Sequence, residues 1–472
     1  MVRLNIVDKP TKLTQPLKLA FGLQATPVKP QRADRRRWRA IGQQPGTGLE
    51  KAYMLPADRH VRGVTLWNEG WTETWMIPKP RPTAKDTIAK REQEGIRPCM
   101  YLATHTVDPR EEWVRYYWDY WRTTPGETFN PAWLADKSYY VEAGICQASG
   151  YQDYFIWLLD RAIQSTDLKG LYFDNSVSRE CDNALHGCGA AVPVARQEQA
   201  AQKDPSGPRY PILAARQFYK RVYRLMRAHA PDSLIAIHMS GWPLMPLQAF
   251  ADIICDGENF TGYMQVVKKE KGWDNYWHTL PLDVMRAQYR NHWGPETAFL
   301  PEFGRALGKE WNENTPHTRE SVEHLIGLYF VHDSGLWPCW STLEPYGRFF
   351  QAQDRFGWDE QVTFVPYWDL QGLASISTTA DLSHAQLPEE AARAGNPPLV
   401  MSLFRRPGKV MFVPYNNTDQ DLPVTISWEA AKLGVGPTTE LEDIFRGTKA
   451  KVTGQQVTVT VPRRNFAMWT AP

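Results

Sequence analysis

The sequence lacks several features that mark major protein classes. No apolar run reaches the roughly 18 residues that a membrane-spanning helix requires, and the opening residues, MVRLNIVDKPTKL, have no apolar core like that of a secretory signal. Neither sign of charge dominates, because 54 Lys and Arg residues stand against 52 Asp and Glu residues. A Gly-rich phosphate loop, a serine nucleophile elbow and an H-E-x-x-H motif are also missing.

These absences limit the partners. A near-neutral chain has no general attraction to nucleic acid or to an anionic membrane, so we expect neither as a partner. We also expect no cofactor. The oligomeric state and the compartment stay open, with a secreted or periplasmic location as the working hypothesis.

Cysteine is scarce, with six residues in 472, which excludes a disulfide framework as the basis of the fold. Four cysteines lie in or beside apolar runs, where a free cysteine packs as a small hydrophobic residue: Cys99, Cys146, Cys255 and Cys339. Cys181 and Cys188 differ, because His186 lies between them in SRECDNALHGCG. No fourth ligand follows at the spacing of a zinc finger, so we predict no metal site. A local disulfide, two free thiols and a zinc-dependent hydrolase stay as alternatives.

Aromatic residues are what the sequence has in abundance: 20 Trp, 20 Tyr and 18 Phe. Many lie in polar stretches punctuated by Gly and Pro, away from periodic core patterns. This distribution favours a protein that stacks flat rings against an amphipathic ligand, of which sugars are the commonest. The alternative is that these rings fill a large core.

The chain divides into three parts by pattern. Residues 1–40 contain a strand-like segment, PLKLAFGL, and a basic linker, QRADRRRWRA, and are interpreted as a possible remnant of a β-domain. Residues 41–360 alternate short apolar strands with amphipathic helices, which is typical of a (β/α)8 barrel. From residue 361 to 472 the period changes to two, which predicts an all-β sandwich.

The fold class is therefore α/β: a TIM-type (β/α)8 barrel with an N-terminal strand segment and a C-terminal sandwich. The predicted barrel strands are VRGVTLWNEG, RPCMYLATHT, YYVEAGICQAS, LKGLYFDNS, SLIAIHMSG, FADIICDGENF, ETAFLPEFG and SGLWPCWST. The third is the weakest of these. The connection after the fifth is too short for a full helix, so the barrel is expected to be irregular there.

Polar residues recur where the predicted strands end, and the C-terminal strand ends of a barrel form its active site. Single Asp or Asn residues at such positions also cap helices and turns, but several acids on one rim are harder to explain that way. The candidate catalytic residues are Asp174, Asp256, Glu258 and Glu302. The candidate substrate-binding residues are Trp67, Glu69, His105, Asn175, His238, Trp242 and Trp340.

Converging carboxylates with abundant aromatic residues favour glycoside hydrolysis, which needs one ionised and one protonated carboxyl group on either side of the scissile bond. Asp174 directly follows the apolar strand GLYF and is the best first member of the pair. Glu258 is the favoured partner, because it lies further into its loop than Asp256. Asp256 and Glu302 are assigned supporting roles, with structural ion pairs as the alternative for all three.

GLYFDNS, with IAIHMSG and ADIICDGENF downstream, resembles the barrel glycosidases of the alpha-galactosidase clan, whose nucleophile strand ends in Asp followed by Asn or Met. The order of elements, including LKLAFGLQATPVKP at the start, resembles glycoside hydrolase family 123. That family implies substrate-assisted cleavage by adjacent Asp and Glu. Here the matching dyad is Asp174–Asn175, and Asn175 cannot act as a carboxylic acid. The clan resemblance, which implies a covalent glycosyl-enzyme on Asp174, survives this departure better.

We therefore predict a glycoside hydrolase that acts on a galactose-type or N-acetylgalactosamine-type residue, with retention of configuration. The alternative is a carbohydrate-binding barrel that has lost its general acid and does not catalyse.

Overall fold

The computed structural model describes residues 12, 22–41, 49, 52–58, 60–68, 71–74, 77–123, 128–138, 141–188, 210–239, 243–290, 292–383, 385–387 and 395–471. Most of the predicted strand segment PLKLAFGL lies outside these residues, and its origin as a domain remnant stays a prediction. In the described part of the chain, no helix is both long and apolar enough to cross a membrane.

Eight parallel strands form one sheet in which the spatial order follows the chain. They are β1 (Trp38–Ala40), β2 (Arg62–Asn68), β3 (Ile96–Ala103), β4 (Gly170–Asp174), β5 (Leu234–His238), β6 (Ile253–Asp256), β7 (Glu296–Phe299) and β8 (Gly335–Leu336). This regular order and direction is that of a (β/α)8 barrel, as predicted.

Helices cover the outside of this sheet. The longer ones are α1 (Ala84–Gln93), α2 (Tyr151–Thr166), α3 (Ile212–His229), α4 (Glu258–Lys271), α5 (Leu282–Gln288), α6 (Pro316–Phe330) and α7 (Glu344–Phe356). Short α-helical turns in the barrel region span Glu112–Tyr116, Trp118–Trp121, Ala132–Ala135, Met245–Gln248, Tyr276–Thr279 and Phe303–Ala306; 3-10 turns span Arg35–Arg37, Ala184–His186 and Lys309–Asn312. One further turn, Ala430–Leu433, belongs to the C-terminal part. Only the turn Met245–Gln248 is helical between β5 and β6 within the described residues, which confirms the predicted irregularity there.

Alternate side chains of the strands point inward and fill the barrel as a core separate from the helix–sheet interface. Its members include Val64, Tyr101, Tyr172, Ala236 and Trp337. Cys99, Cys255 and Cys339 are buried among them as free thiols, which confirms the sequence interpretation for these three cysteines.

One strand prediction and one linker interpretation are wrong. The segment YYVEAGICQAS contributes only Ala143–Gly144, which pairs antiparallel with Thr106–Val107 outside the barrel sheet. The basic run interpreted as a linker instead supplies β1, which pairs with β2 through Trp38 opposite Arg62. Because one predicted strand is absent from the barrel sheet and one unpredicted strand is present, the sheet still has eight strands. The fourth to eighth predicted strands therefore correspond to β4–β8.

Ion pairs join the two ends of the sheet. Asp333, two residues before β8, accepts two hydrogen bonds from Arg36, which lies just before β1, at 2.7 and 2.9 Å. Arg35 donates to the same carboxylate. Burial removes these charges from water, which costs free energy, and the ion pairs between them offset that cost. The barrel is therefore nearly closed, with charged side chains bridging its first and last strands.

The C-terminal part consists of two antiparallel sheets. Its strands are β9 (Thr363–Val365), β10 (Ala374–Thr378), β11 (Leu399–Arg406), β12 (Lys409–Asn416), β13 (Leu422–Trp428), β14 (Glu440–Asp443), β15 (Thr448–Lys451), β16 (Gln456–Val461), β17 (Asn465–Phe466) and β18 (Trp469–Ala471). One sheet has the order β9-β11-β12-β18-β14-β15, with β17 on β12, and the other has the order β10-β13-β16. This confirms the predicted sandwich.

The sandwich packs on the barrel through aromatic side chains. Phe330 at the end of α6 stacks on Phe404 of β11, with ring centroids 4.4 Å apart. Gly327, one turn earlier, lies so close to Phe466 that a Cβ there would overlap the ring. The sandwich thus braces α6 and α7, on the side of the barrel that carries β8.

Candidate active site

The site is built around Asp174, the last residue of β4. Its neighbour Asn175 has a left-handed backbone with a φ of 49°, a conformation that costs energy for a residue with a side chain and that clusters at functional sites. The turn bends the chain back, so that the Asn175 main-chain N–H donates to Asp174 Oδ1 at 2.8 Å and its side-chain amide donates to Oδ2 at 3.2 Å.

Two further donors come from neighbouring strands. Tyr101 on β3 donates its hydroxyl hydrogen to Asp174 Oδ2, and His238 at the end of β5 places Nδ1 3.0 Å from Oδ1. The Asp174 side chain nevertheless stays 19% exposed, whereas His238 is 2% exposed. The carboxylate is thus fixed in position by four hydrogen bonds while still in contact with solvent at the rim.

This environment determines which form of each group is present. Burial alone would raise the pKa of Asp174, but the hydrogen bonds from His238, Tyr101 and Asn175 outweigh it and hold the pKa below its ordinary value. Burial alone would lower the pKa of His238, but Asp174, Glu258 and Asp256 outweigh it and raise the pKa to about 9. At neutral pH the pair is therefore a carboxylate beside an imidazolium.

The same imidazolium faces the end of β6. Its Nε2 lies 3.9 Å from Asp256 Oδ1 and 3.8 Å from Glu258 Oε2. Asp256 ends β6 and is fully buried, whereas Glu258 is the first residue of α4 and its side chain is 36% exposed. Gly257 separates them, and a Cβ there would overlap the Leu300 carbonyl after β7. The His238 imidazole therefore lies between Asp174 on one side and Asp256 and Glu258 on the other.

The end of β7 completes the acidic group. Glu302 is buried and accepts a hydrogen bond from Arg305 at 2.7 Å and another from Thr261 of α4. Burial raises the pKa of Glu302 and the nearby Glu258 adds to this, although Thr261 and Arg305 oppose them. Arg305 also pairs with Glu258. Glu302 and Glu258 thus share Arg305 as an ion-pair partner and belong to the same network.

Trp340, after β8, lies beside this network. The Arg305 guanidinium lies over the Trp340 ring, 5.6 Å from the centroid. The main-chain carbonyl of Trp340 accepts a hydrogen bond from the Gly304 N–H at 2.6 Å. Trp340 has a left-handed φ of 43°. Its half-buried ring therefore lies beside the guanidinium that pairs with Glu258 and Glu302, and its role in stacking on a sugar stays a prediction.

The remaining predicted residues differ in position. His105 is only 2% exposed, and its imidazole hydrogen-bonds the Asn175 main chain. Burial and Arg179 lower the pKa of His105 to about 4, so it is neutral and supports the turn after β4 from beneath. Trp67 has its backbone in β2, but its side chain, together with Glu69 and Trp242, lies outside the described residues.

Sequence reasoning missed Tyr101 and Arg305. Tyr101 lies inside an apolar strand and carries no polar signal of its own, although its alternation with Cys99 and Ala103 places all three on one face of β3. Arg305 follows Glu302 by three residues, a spacing that puts two side chains on one helical face.

The titration of His238 gives a testable prediction. Its folded pKa of about 9 exceeds the ordinary value of 6.5, so its contribution to stability is complete below about pH 6.5 and disappears as pH rises through about 9. We expect His238→Gln to cost a few kcal/mol at pH 6 and much less at pH 10. Urea unfolding of both proteins across this range measures the difference.

The unmodified chain is the matched reference, because every other titrating group is common to both proteins. A gap in unfolding free energy that stays constant from pH 6 to pH 10 would contradict an imidazolium at this position.

Comparison with known proteins gives similarities of structure. No protein-family model matches the sequence, and no curated protein sequence matches it. A maltogenic alpha-amylase from Thermotoga neapolitana is 11% identical, with a TM-score of 0.47 over 83% of this chain and 81% of that chain. An alpha-amylase from Anoxybacillus is 10% identical, with a TM-score of 0.49 over 92% and 85%. A family 36 alpha-galactosidase from Geobacillus stearothermophilus is 11% identical, with a TM-score of 0.48 over 92% and 56%.

Proposed function

We propose that this protein is a glycoside hydrolase that cleaves a galactose-type or N-acetylgalactosamine-type glycosidic bond with retention of configuration. One observation carries the proposal. Asp174 is an ionised carboxylate exposed at the rim, and the His238 imidazole separates it from two further carboxyl groups, those of Asp256 and Glu258. A pair of carboxyl groups with unlike surroundings is what acid–base cleavage of an acetal requires.

Asp174 is the proposed nucleophile. Its low pKa keeps it ionised, and its four hydrogen bonds fix its direction before substrate binds. Attack of a carboxylate oxygen on the anomeric carbon forms a glycosyl ester as the bond to the leaving oxygen breaks. Hydrolysis of that ester by water returns Asp174 to its ionised form.

Glu258 is the proposed acid and base. Of the two carboxylates facing His238, it is the exposed one, with 36% against none for Asp256, so it is better placed to reach a leaving oxygen. It protonates that oxygen in the first step and takes a proton from the attacking water in the second. Asp256 and Glu302 support it from the buried side of the network. A retaining pair is expected to close to about 5–5.5 Å between carboxyl groups with substrate bound.

His238 links the two steps electrostatically. While Asp174 is ionised, the imidazolium neutralises it. Once Asp174 is an ester, Asp256 and Glu258 are the carboxyl groups that remain beside the imidazolium. Trp340, with Trp67, Trp242, Glu69 and Asn175, is the proposed surface for the sugar.

A panel of aryl glycosides tests the function. The α- and β-anomers of galactose, N-acetylgalactosamine and glucose are offered to the purified protein, and proton NMR follows the first product anomer. We expect turnover of a galactose-configured substrate and initial formation of the anomer with the substrate's configuration. Inversion would overturn the covalent mechanism, and turnover confined to N-acetyl sugars would favour the substrate-assisted one.

One observation favours a second function, a carbohydrate-binding barrel without catalysis. An ionised carboxylate offers about four acceptor positions, and four donors already contact Asp174. Calorimetric titration with the same sugars separates the two. Binding without any turnover, unchanged in Asp174→Asn, supports the binding protein.

A further inference from the structure

Four side chains that could ligate a metal converge beside the loop that follows β4. Cys146, Cys181, His186 and Cys188 each bring one donor atom, and all four atoms lie within 4.8 Å of one another. Cys146 Sγ is 3.6 Å from Cys188 Sγ, and Cys181 Sγ is 3.7 Å from His186 Nε2. The three cysteines are buried and are free thiols. Cys146 is a buried free thiol, as the sequence analysis expected, and it also lies within reach of the three ligand candidates of the loop after β4.

We propose that these four residues bind one zinc ion. Zn–S bonds of about 2.3 Å and a Zn–N bond of about 2.0–2.1 Å place tetrahedral ligand atoms about 3.5–3.8 Å apart, close to the separations here. Three thiolates and an imidazole are a soft ligand set that selects zinc over magnesium or calcium. A disulfide would instead place two sulfur atoms about 2.05 Å apart, and it would not account for the imidazole of His186 beside the three thiols.

The missing fourth ligand comes from a distant part of the chain. Cys146 precedes α2 and is fixed by its N–H, which donates to the Trp121 carbonyl at 2.7 Å. The segment with the other three ligands follows β4, and Asn183 ties it to the same place by donating to the Asp119 and Arg122 carbonyls at 2.9 and 3.0 Å. Two excursions from the barrel, after β3 and after β4, therefore meet at the site.

The surroundings indicate a structural role. Cys146, Cys181 and Cys188 form a small buried cluster of their own, against which Ala148 is the one partly buried hydrophobic side chain packed within the described residues. The excursion after β3 is anchored in the main core by Trp118, Trp121 and Ile145. In the described segment 175–188 after β4, by contrast, Cys181 and Cys188 are the buried hydrophobic side chains, so apolar burial stabilises it little and a bound metal would supply that stability. Four protein ligands leave no open position, which distinguishes this site from a catalytic zinc. Cys181 follows Asp174 by seven residues, so the metal would fix the turn that carries the proposed nucleophile.

Metal analysis of the untagged protein, purified without chelator, tests the proposal. We expect about one zinc per chain by mass spectrometry and an X-ray absorption spectrum with three sulfur neighbours and one nitrogen neighbour. A chain that binds no metal after incubation with zinc and dialysis overturns the proposal. So does iron with sulfide, or a spectrum dominated by oxygen neighbours.

Counting reactive thiols distinguishes a zinc site from a disulfide. Under denaturing conditions with a chelator and without reductant, we expect six reactive thiols per chain. Four would indicate a disulfide and overturn the zinc site. This readout does not depend on glycosidase activity, so failure of the proposed function leaves the test intact.

Matched variants locate the metal. Cys188→Ser is expected to lower zinc content at least tenfold, and Cys255→Ser, at an equally buried thiol in the barrel interior, is expected to leave it unchanged. If Cys188→Ser fails to fold, His186→Gln serves instead, since His186 is only half-buried. Equal zinc loss in both cysteine variants would overturn the assignment.

Discussion

Replacing Asp174 with asparagine is expected to lower kcat on a hydrolysed glycoside by about 10⁴-fold or more, with little change in KM. Asparagine keeps the size and much of the hydrogen bonding of the side chain, but its amide cannot form the glycosyl ester. The four contacts from Tyr101, His238 and Asn175 position this one group, so none of them can replace it. Steady-state kinetics on aryl glycosides measures the loss.

The leaving group distinguishes Asp174 from Glu258. Glu258→Gln is expected to lose kcat/KM severely on a poor leaving group and to keep it nearly unchanged on an activated one such as dinitrophenol, which departs without protonation. Because the second step also lacks its base, kcat is expected to fall on both substrates. Asp174→Asn is expected to be impaired on both. An Asp174→Asn enzyme within tenfold of the parent would remove the nucleophile assignment. Full activity of Glu258→Gln on poor leaving groups would move the acid role to Asp256 or Glu302.

The largest expected loss of stability comes from Asp333→Asn, at about 3–5 kcal/mol. Its carboxylate is the shared partner of Arg35 and Arg36, whose side chains are 12% and 5% exposed. Removing the negative charge deprives two guanidinium groups of their hydrogen-bonded carboxylate and leaves Glu296 of β7 as their acidic neighbour, which is the costly way to break a buried pair. Asparagine tolerates the left-handed backbone of residue 333, with its φ of 58°. The urea midpoint of the purified variant measures the effect.

The adjacent arginine provides a matched control. Arg37 pairs with Glu360 on the surface, where their side chains are 43% and 44% exposed. Solvent screens such a pair, so Glu360→Gln is expected to cost no more than about 1 kcal/mol. Equal losses for the two variants would contradict the view that ion pairs between the sheet ends hold the barrel closed.

Local patterns predicted the elements that are long and strongly periodic. The helices α2 and α3 follow from apolar residues at helical spacing, and β4, β5 and β6 follow from unbroken apolar runs. β1 was missed because its three residues, Trp38–Ala40, are too few to establish a period and directly follow a run of arginines. The segment around Ala143–Gly144 was misassigned because an extended pattern does not reveal which partner a strand pairs with.

The rim position of the acids was predictable because parallel strands all end on the same side of a barrel. Asp174, Asp256 and Glu258 were recognised this way. Tyr101 and Arg305 were not, because their roles depend on contacts with residues of other elements, Tyr101 with Asp174 and Arg305 with Glu258.

Sequence periodicity by itself determined the class of fold, since burial of apolar side chains must repeat with the period of the element that carries it. It also determined that acids follow the barrel strands. Only the tertiary structure decided which charges meet: that His238 stands between Asp174 and the acids after β6, and that Cys146 joins Cys181, His186 and Cys188. Such contacts form between residues tens of positions apart, where neither spacing nor local propensity carries information about distance.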